Sequence, residues 1–348
     1  MLLFTVNLFS QDFNVKLKFK AMNAGVSEKG VRLHYFLAYK KRPKKPYSGM
    51  YMYTTKDGVK SESKYVNGRL EGQEKSWYAN GTKRSQRDWV QGFKDGQEIH
   101  WYKNGQKKYH ANYVKGHKVG EEIEWYKNGQ KRSLRNWING YQNGQEIGWY
   151  EGGQKEWESF YVNGNKEGVS ISWYWDGIKR TECNYVNYKK KGIELEWYDN
   201  GVKRSERNWE NGKLTGLETE WYESGKKRII KNWIKHGEDW EQKIWDENGQ
   251  KRSECSYKNS KENGIEYSWY ANGQKEVEIS WVNGTLNGSY YYWDEKGELI
   301  EKGYYLNGYR GYLNEKGKFI PDPLGYSDKN TWQKLRDSRL SRILSKKN

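Results

Sequence analysis

The sequence predicts an all-β chain of stacked β-hairpins, and three observations support that prediction. The 348 residues contain 19 Trp, 30 Tyr and 38 Gly, while hydrophobic residues make up only 34% of the chain. Abundant aromatic residues with few aliphatic ones favour strands with aromatic packing over a helix bundle or an α/β enzyme. Tryptophan also recurs every 24 residues, and Asn-Gly pairs recur between the tryptophans. A period of this size is typical of a solenoid-like repeat array.

Three rows of residues keep the 24-residue period without an insertion. The first row is tryptophan, the second is Tyr or Trp, and the third is glycine, interrupted at Trp240. The first row consists of Trp77, Trp101, Trp125, Trp149, Trp173, Trp197, Trp221, Trp245, Trp269 and Trp293. Because the rows stay in phase, each unit is expected to contact mainly its neighbours.

Each unit reads as a hairpin with alternating strands. The pair Asn128-Gly129 predicts a type I′ turn, which needs positive φ at both central residues. A two-residue turn there places Trp137 opposite Gly120 and pairs Ile123 with Leu134. The alternation predicts that Ile123 and its equivalents point inward, and that the flanking glutamates point outward.

The second turn of each unit has the pattern aromatic-x-x-Gly-x-x-x-Gly, as in Trp89 to Gly96 and Trp281 to Gly288. With this pattern the chain resembles the MORN repeat family, and more closely its bacterial variants, over about residues 47–317. The resemblance implies an elongated single-layer antiparallel sheet of about eleven stacked 24-residue hairpins. Bacterial relatives are often labelled antitoxin-like, which implies partner binding. The chain departs from the family in a period one residue longer, and in Arg87 where the family has glycine.

Proline and charge set the predicted domain edges. Interior strands exclude proline, and Pro43, Pro46, Pro321 and Pro323 all lie outside the repeats. Residues 11–46 hold 10 Lys/Arg and 2 Asp/Glu, and residues 316–348 hold 9 and 3. The predicted organisation is a truncated export signal or first strand (1–10), a basic β cap (11–46), the repeat array (47–320) and a basic, short C-terminal helical tail (321–348). A signal at 1–10 would indicate export, to the periplasm or outer surface; otherwise the chain is expected in the cytoplasm.

The sequence predicts no catalysis, no cofactor and no metal site. Cys183 and Cys255 are three repeats apart, too far to form a disulfide in a straight array, and are expected to be small apolar fillers. The five histidines show no metal-ligand spacing and are expected at the surface or in turns. No P-loop, nucleophile elbow or dinucleotide fingerprint is present.

Three functions fit these features. The first is a non-enzymatic scaffold that binds a protein partner, with the chain itself a monomer. The second is peripheral binding to anionic membrane lipids through the basic flanks. The third is nucleic-acid binding by base stacking on aromatic side chains, which the nearly neutral array disfavours.

Candidate binding residues come from a basic cluster and from irregular repeats. The cluster comprises Lys40, Lys41, Arg42, Lys44 and Lys45. The irregular stretch, within residues 185–260, comprises Tyr188, Lys189, Lys190, Lys191, His236 and Trp240. Tyr188 and His236 replace a turn glycine, as does Ser260, and a different turn geometry is expected there. These departures predict a functional stretch, with sequence drift as the alternative.

Overall fold

The computed structural model describes residues 7–9, 46–235 and 237–322, in which every regular element is a β-strand. The strands run antiparallel to their neighbours in an open sheet. Contacts divide the chain into two units, residues 1–165 and 166–348. The prediction of a single-layer all-β array of hairpin repeats is therefore confirmed.

Within unit 1, the described strands follow one another as hairpins. They are β1 (Asn7–Phe9), β2 (Gly49–Thr54), β3 (Lys60–Val66), β4 (Arg69–Leu70), β5 (Gly72–Trp77), β6 (Lys83–Val90), β7 (Phe93–Trp101), β8 (Lys107–Val114), β9 (His117–Trp125), β10 (Lys131–Ile138), β11 (Tyr141–Gln142), β12 (Gly144–Trp149) and β13 (Lys155–Val162). Strand β1 pairs with β2, so residues 7–9 form the strand that was one of the two predictions for the N-terminus.

Unit 2 continues the same alternation. Its described strands are β14 (Asn165–Trp173), β15 (Lys179–Val186), β16 (Lys189–Trp197), β17 (Lys203–Glu210), β18 (Lys213–Trp221), β19 (Lys227–Lys235), β20 (Asp239–Trp245), β21 (Lys251–Lys258), β22 (Lys261–Glu262), β23 (Gly264–Trp269), β24 (Lys275–Val282), β25 (Thr285–Trp293), β26 (Leu299–Leu306), β27 (Tyr309–Leu313) and β28 (Phe319–Pro321). First-row tryptophans end a strand in both units.

The turn after each first-row tryptophan is a type I turn followed by a glycine. Gly129 N–H donates to Tyr126 O over 3.1 Å, and Tyr126 N–H donates to Gln130 O over 2.9 Å. Gly129 has φ +88°, whereas Asn128 is not among the residues with positive φ. The type I′ prediction for this turn is wrong, because a three-residue loop of this kind needs only its last residue in the left-handed region.

A bulge absorbs the extra loop residue, so the predicted register is still correct. The pairs between β9 and β10 are Lys131–Trp125, Ser133–Glu124, Leu134–Ile123, Arg135–Glu122 and Trp137–Gly120. Arg132 is left without a directly paired residue. The guanidinium carbon of this bulged side chain lies 5.9 Å from the Tyr126 ring centre.

Type I′ turns lie instead at the second turn of the described repeats, apart from the turn between Lys235 and Asp239, which has three residues between its paired ends. Gln91 and Gly92 have φ +50° and +86°, and Val90 pairs with Phe93 on either side. Both central residues therefore have the positive φ that this turn requires. Gly92 N–H also donates to the carbonyl of Leu70 in the preceding hairpin over 2.9 Å. Successive turns are thus linked by backbone hydrogen bonds.

Third-row glycines occupy a bulge that follows the second turn. Three residues around Gly96 face the single residue Asp88 of the preceding strand. Gly96 has φ +110°, and a Cβ there would lie 2.8 Å from the side chain of Asp88. The row is glycine because the bulge needs positive φ.

The two faces of the sheet differ in burial, and the difference is opposite to the prediction. Glu98 and Glu122 are each 5% exposed, while Ile99 and Ile123 are half-buried. We call the face with Glu98 and Glu122 the glutamate face, and the face with Ile99 and Ile123 the isoleucine face. The glutamates are buried because aromatic rings and the stems of Lys and Arg side chains cover them.

The predicted flanking elements lie largely outside the described residues. The basic β cap falls in residues 11–45, and the helical tail falls in residues 323–348. Pro321 is in β28, where it pairs with Gly311. Proline is compatible with this position because β28 is the last described strand of the ladder.

Candidate functional site

A cluster of charged side chains surrounds Glu98 on the glutamate face of unit 1. We call Ser85, Arg87, Lys94, Glu98 and His100 the polar cell. Arg87 Nε donates to Glu98 Oε1 over 2.7 Å, and Lys94 Nζ donates to Oε2 over 2.6 Å. Burial alone would raise the pKa of Glu98, but hydrogen bonds from His100, Lys94 and Arg87 hold that pKa well below its usual range. Both carboxylate oxygens are therefore engaged by the protein itself.

His100 lies inside this network, which corrects the expectation of surface or turn histidines. It is in strand β7, its Nε2 is 2.9 Å from Glu98 Oε1, and its ring centre is 5.3 Å from that of Tyr109. Among the described residues, no group of three or more His, Cys, Asp or Glu side chains could hold a metal ion.

Unit 2 fills the same positions with apolar side chains eight repeats later. The apolar cell consists of Val277, Ile279, Leu286, Tyr290 and Tyr292, each 192 residues after its counterpart in the polar cell. Ile279 is 0% exposed, and the strands pair as they do in unit 1. The glutamate face is thus packed interior in both cells, and its side chains stabilise the sheet.

Lys190 belongs to this interior packing. Its Nζ donates to Glu194 and lies 4.7 Å from the ring centre of Trp209. Lys118 makes the same contacts in unit 1, with Glu122 and with a tryptophan ring. Lys190 is therefore removed from the exposed candidates, whereas its neighbours Lys189 and Lys191 remain among them.

The cysteines are buried on the same face of unit 2. Cys183 and Cys255 are each 4% exposed and carry free thiols, as predicted. Burial raises the pKa of the Cys183 thiol to about 11, and the nearby Glu194 adds to the rise. Both act as small fillers between strands.

The isoleucine face carries a row whose chemistry differs between the units. The row lies one residue after each bulge glycine. The row includes Gln73 in unit 1, and Ile265 and Ser289 in unit 2. In the six consecutive repeats between these, it holds Gln97, Glu121 and Gln145 in unit 1 and Val169, Ile193 and Leu217 in unit 2. All six residues are exposed, and the three aliphatic ones are 51%, 53% and 57% exposed.

The backbone beside this row is braced identically in both units. Asn136 Nδ2 donates to the carbonyl of Gln145 over 3.0 Å, and Asn208 Nδ2 donates to that of Leu217 over 3.0 Å. The fold therefore accepts either side chain, and does not itself require aliphatic residues in unit 2.

Tyr188 stands at the tip of the β15–β16 hairpin, beside this row. Asn187 and Tyr188 have φ +49° and +63°, so the type I′ geometry is kept, and Ser260 keeps it with φ +60°. For Tyr188 and Ser260 the expectation of a different turn geometry is wrong, because the strands on both sides hold the turn in place; His236 lies outside the described residues. Left-handed φ costs a residue such as tyrosine about 1–2 kcal/mol. The Tyr188 side chain is 56% exposed.

Lys191 breaks a second local rule at the same hairpin. In five other repeats, the side chain at this position accepts a hydrogen bond from the next turn, as Asp95 does from Lys115 N–H and Glu167 from Asn187 N–H. A lysine ammonium can only donate. Val119 also lacks an acceptor, but Lys191 places an exposed positive charge there.

Trp240 departs from the repeat in a different way. It lacks the positive φ of the glycine row, and it pairs with Trp233 on one side and Tyr257 on the other. Its ring stacks on Tyr257 at 4.6 Å between centres. Its buried Nε1 has no hydrogen-bond partner among the described residues. Because the ring is packed between neighbours, Trp240 belongs to the interior and is removed from the exposed candidates.

The exposed residues that depart from the repeat pattern lie on β14, β18 and the β15–β16 hairpin between them. We call them the hairpin strip. It consists of Val169, Tyr188, Lys189, Lys191, Ile193 and Leu217. Lys189 pairs with Val186 at the tip of the hairpin, and both side chains are exposed. The other candidates, Lys40, Lys41, Arg42, Lys44, Lys45 and His236, lie outside the described residues.

Sequence reasoning found Tyr188, Lys189 and Lys191 but missed the aliphatic row. The signal was present, since Val169, Ile193 and Leu217 keep the 24-residue period. They stand one residue after the glycine row. The alternation was read within single repeats, and this position was not compared from one repeat to the next.

Two open depressions were found in unit 1. The larger, of about 410 Å³, is lined by residues including Lys94, Glu98, His100, Tyr109 and Tyr113. The smaller, of about 330 Å³, lies near Tyr78. A helix long and apolar enough to cross a membrane does not occur in the part of the chain that the structure describes.

Comparison with known proteins found a matching family model and matching solved structures. Seven segments match the family model described as MORN repeat variant, residues 70–91, 94–115, 118–139, 190–213, 214–235, 240–259 and 262–283. Among solved structures, a mutant form of the Photorhabdus luminescens Tc holotoxin pore is similar over 81% of this chain, at 9% identity and a TM-score of 0.18. The chain spans 18% of that chain's length. No curated protein matches.

Proposed function

We propose that this chain, which is a MORN-repeat protein, is a non-enzymatic scaffold that binds another protein through the hairpin strip. MORN repeats are associated with protein or membrane interaction. The observation that supports the proposal is the replacement of exposed polar residues by Val169, Ile193 and Leu217 on an unchanged backbone. Exposure of an aliphatic side chain to water is unfavourable. Where the fold does not require such a residue, it indicates a contact with another molecule.

Local strain at the strip supports the same function. Tyr188 keeps a backbone conformation that favours glycine, and Lys191 replaces the usual hydrogen-bond acceptor. Several local rules are broken within one hairpin, which is the pattern expected where stability has been exchanged for recognition. Exposed tyrosine is also a frequent anchor residue at protein interfaces.

The composition of the strip favours a protein partner over a lipid surface. Asn184 and Asn208 alternate with the aliphatic residues, because each lies opposite one of them in the ladder. The Asn208 amide has further hydrogen-bonding capacity beyond its bond to the carbonyl of Leu217. Lipid hydrocarbon offers that capacity no partner, whereas a protein surface can provide one. The second candidate function, peripheral membrane binding, depends on the basic cluster at residues 40–45.

A capture experiment from the native cell extract tests the proposal. The full chain and its Ile193→Asn variant serve as baits. Ile138→Asn is the matched control, because Ile138 lies in unit 1 and is 57% exposed, close to the 53% of Ile193. We expect a protein that binds the wild type and Ile138→Asn but not Ile193→Asn, and that rebinds in purified form with fixed stoichiometry. Equal capture by all three baits would contradict the proposal.

A further inference from the structure

The spacing of the hairpin strip restricts the shape of its occupant. Val169, Ile193 and Leu217 lie on β14, β16 and β18, and one strand stands between each pair. Neighbouring strands are about 4.8 Å apart, so the aliphatic side chains repeat every 9–10 Å, roughly, in a line across the strands.

An α-helix laid along this line matches the repeat, and an extended strand does not. A helix rises about 1.5 Å per residue, so seven residues, nearly two turns, advance about 10.5 Å and return to the same face. A strand places side chains on one face about every 6.6 Å, which falls out of step with the row. The geometry therefore selects a helix with an apolar residue at every seventh position.

The charged side chains beside the row indicate which charge the partner's surface carries. On the isoleucine face, Lys189, Lys191 and Lys213 are exposed on the second-turn side of the row, with Glu210 as the exposed acidic side chain near them. On the opposite side, lysines are already paired, as Lys179 is with Glu182. A second copy of this chain would bring the same lysines together, which disfavours self-association through this strip.

We infer that the hairpin strip binds an acidic amphipathic helix of a partner protein, with its apolar stripe on Val169, Ile193 and Leu217 and its carboxylates toward Lys189 and Lys191. This inference rests on the proposed function and specifies its partner class. Tyr188 lies at the acidic edge of the helix, where its ring covers the stripe and its hydroxyl stays in water.

A stapled synthetic helix tests the inference directly. The probe is three heptads long, with Leu at one position of each heptad and Glu on one flank, and its dissociation constant for the full chain is measured by fluorescence anisotropy. A scrambled peptide of the same composition and a version with Lys in place of Glu serve as controls. We expect both controls to bind at least tenfold more weakly than the probe.

Variants of the chain locate the binding surface. Ile193→Asn should weaken binding of the probe at least tenfold, while Ile138→Asn should leave it unchanged. Lys189→Gln with Lys191→Gln should weaken it several-fold and flatten its salt dependence. Equal binding of the scrambled peptide, or no effect of Ile193→Asn, would overturn the inference.

The two proposals can fail separately. If a purified partner needs Ile193 but binds without a helix, and the probe does not bind, the scaffold function stands and the helix inference is wrong. If vesicles of anionic phosphatidylglycerol bind through Ile193 and no protein does, both are wrong.

Discussion

Units 1 and 2 use the same backbone at the row beside the bulge glycines, yet they present opposite chemistry to water. In three consecutive repeats of unit 1 the row holds Gln97, Glu121 and Gln145, and in the next three repeats, which belong to unit 2, it holds Val169, Ile193 and Leu217. The asparagine braces have the same 3.0 Å length in both. This difference teaches that folding leaves the row free to vary, and the proposed binding of a partner would account for its aliphatic residues in unit 2.

A second difference, on the glutamate face, teaches the reverse. Glu98 in the polar cell and Ile279 in the apolar cell are both buried, and the strands of the two cells pair in the same register. Paired charges and close apolar packing are two ways to fill one interior position. Variation on this face therefore reports on stability.

The largest expected effect separates the two faces. Ile279→Ala should lower the free energy of unfolding by about 2–5 kcal/mol, because it leaves a cavity in the apolar cell. Ile193→Ala should change it by less than about 0.5 kcal/mol, since that side chain is exposed. Urea denaturation followed by circular dichroism measures both. Similar losses for the two variants would mean that the row is structural after all.

The next effect concerns the polar cell. Glu98→Gln should lower the free energy of unfolding by about 1–3 kcal/mol at neutral pH, because Arg87, Lys94 and His100 lose a charged acceptor. The folded-state pKa of Glu98 is lowered, so its stabilisation is present above the unfolded value of about 4.3 and is lost as pH falls through the folded pKa.

The difference in the free energy of unfolding between the wild type and Glu98→Gln should therefore narrow as pH falls below about 4.3. Urea denaturation at several pH values measures this difference. Tyr290→Phe, the counterpart in the apolar cell, gives a control without a carboxylate at that position. If this difference stayed constant at acidic pH, the negative charge of Glu98 would not contribute to stability, and only the packing of its side chain would.

A smaller effect is expected at the hairpin tip. Tyr188→Gly should raise the free energy of unfolding by about 1 kcal/mol, because it relieves the left-handed tyrosine, and should weaken partner binding. Ser260→Gly is the matched control, since Ser260 has φ +60° at the equivalent turn of another repeat. It should stabilise similarly and leave binding unchanged. If Tyr188→Gly stabilises the protein without weakening partner binding, Tyr188 is the result of sequence drift and has no role in binding.

The sequence predicted the repeat, the hairpins and the pairing of Trp137 with Gly120, because a strict period and alternation determine register. It assigned the type I′ turn to the wrong end of the hairpin. Asn-Gly suits both kinds of turn, and the bulge at Arg132 hides the extra loop residue. It also placed isoleucine inside, because alternation alone cannot tell which face of a single layer is covered by long side chains.

For the candidate site, the missing turn glycine was enough to select Tyr188 as a candidate. The roles of Lys190 and Trp240 could not be predicted, because they depend on contacts with Glu194 and Tyr257 in neighbouring strands. Ile193 was missed because an aliphatic residue in a strand indicates burial unless its exposure is known.

Exchange of the row between units tests the central claim most directly. One variant carries Val169→Gln, Ile193→Gln and Leu217→Gln, and a matched variant carries Gln97→Val, Glu121→Ile and Gln145→Leu. Binding of each to the captured partner is measured by titration calorimetry, alongside unfolding in urea. We expect the first variant to lose at least a hundredfold in affinity with its stability unchanged within about 0.5 kcal/mol, and the second to bind as the wild type does. Full affinity in the first variant would contradict the account.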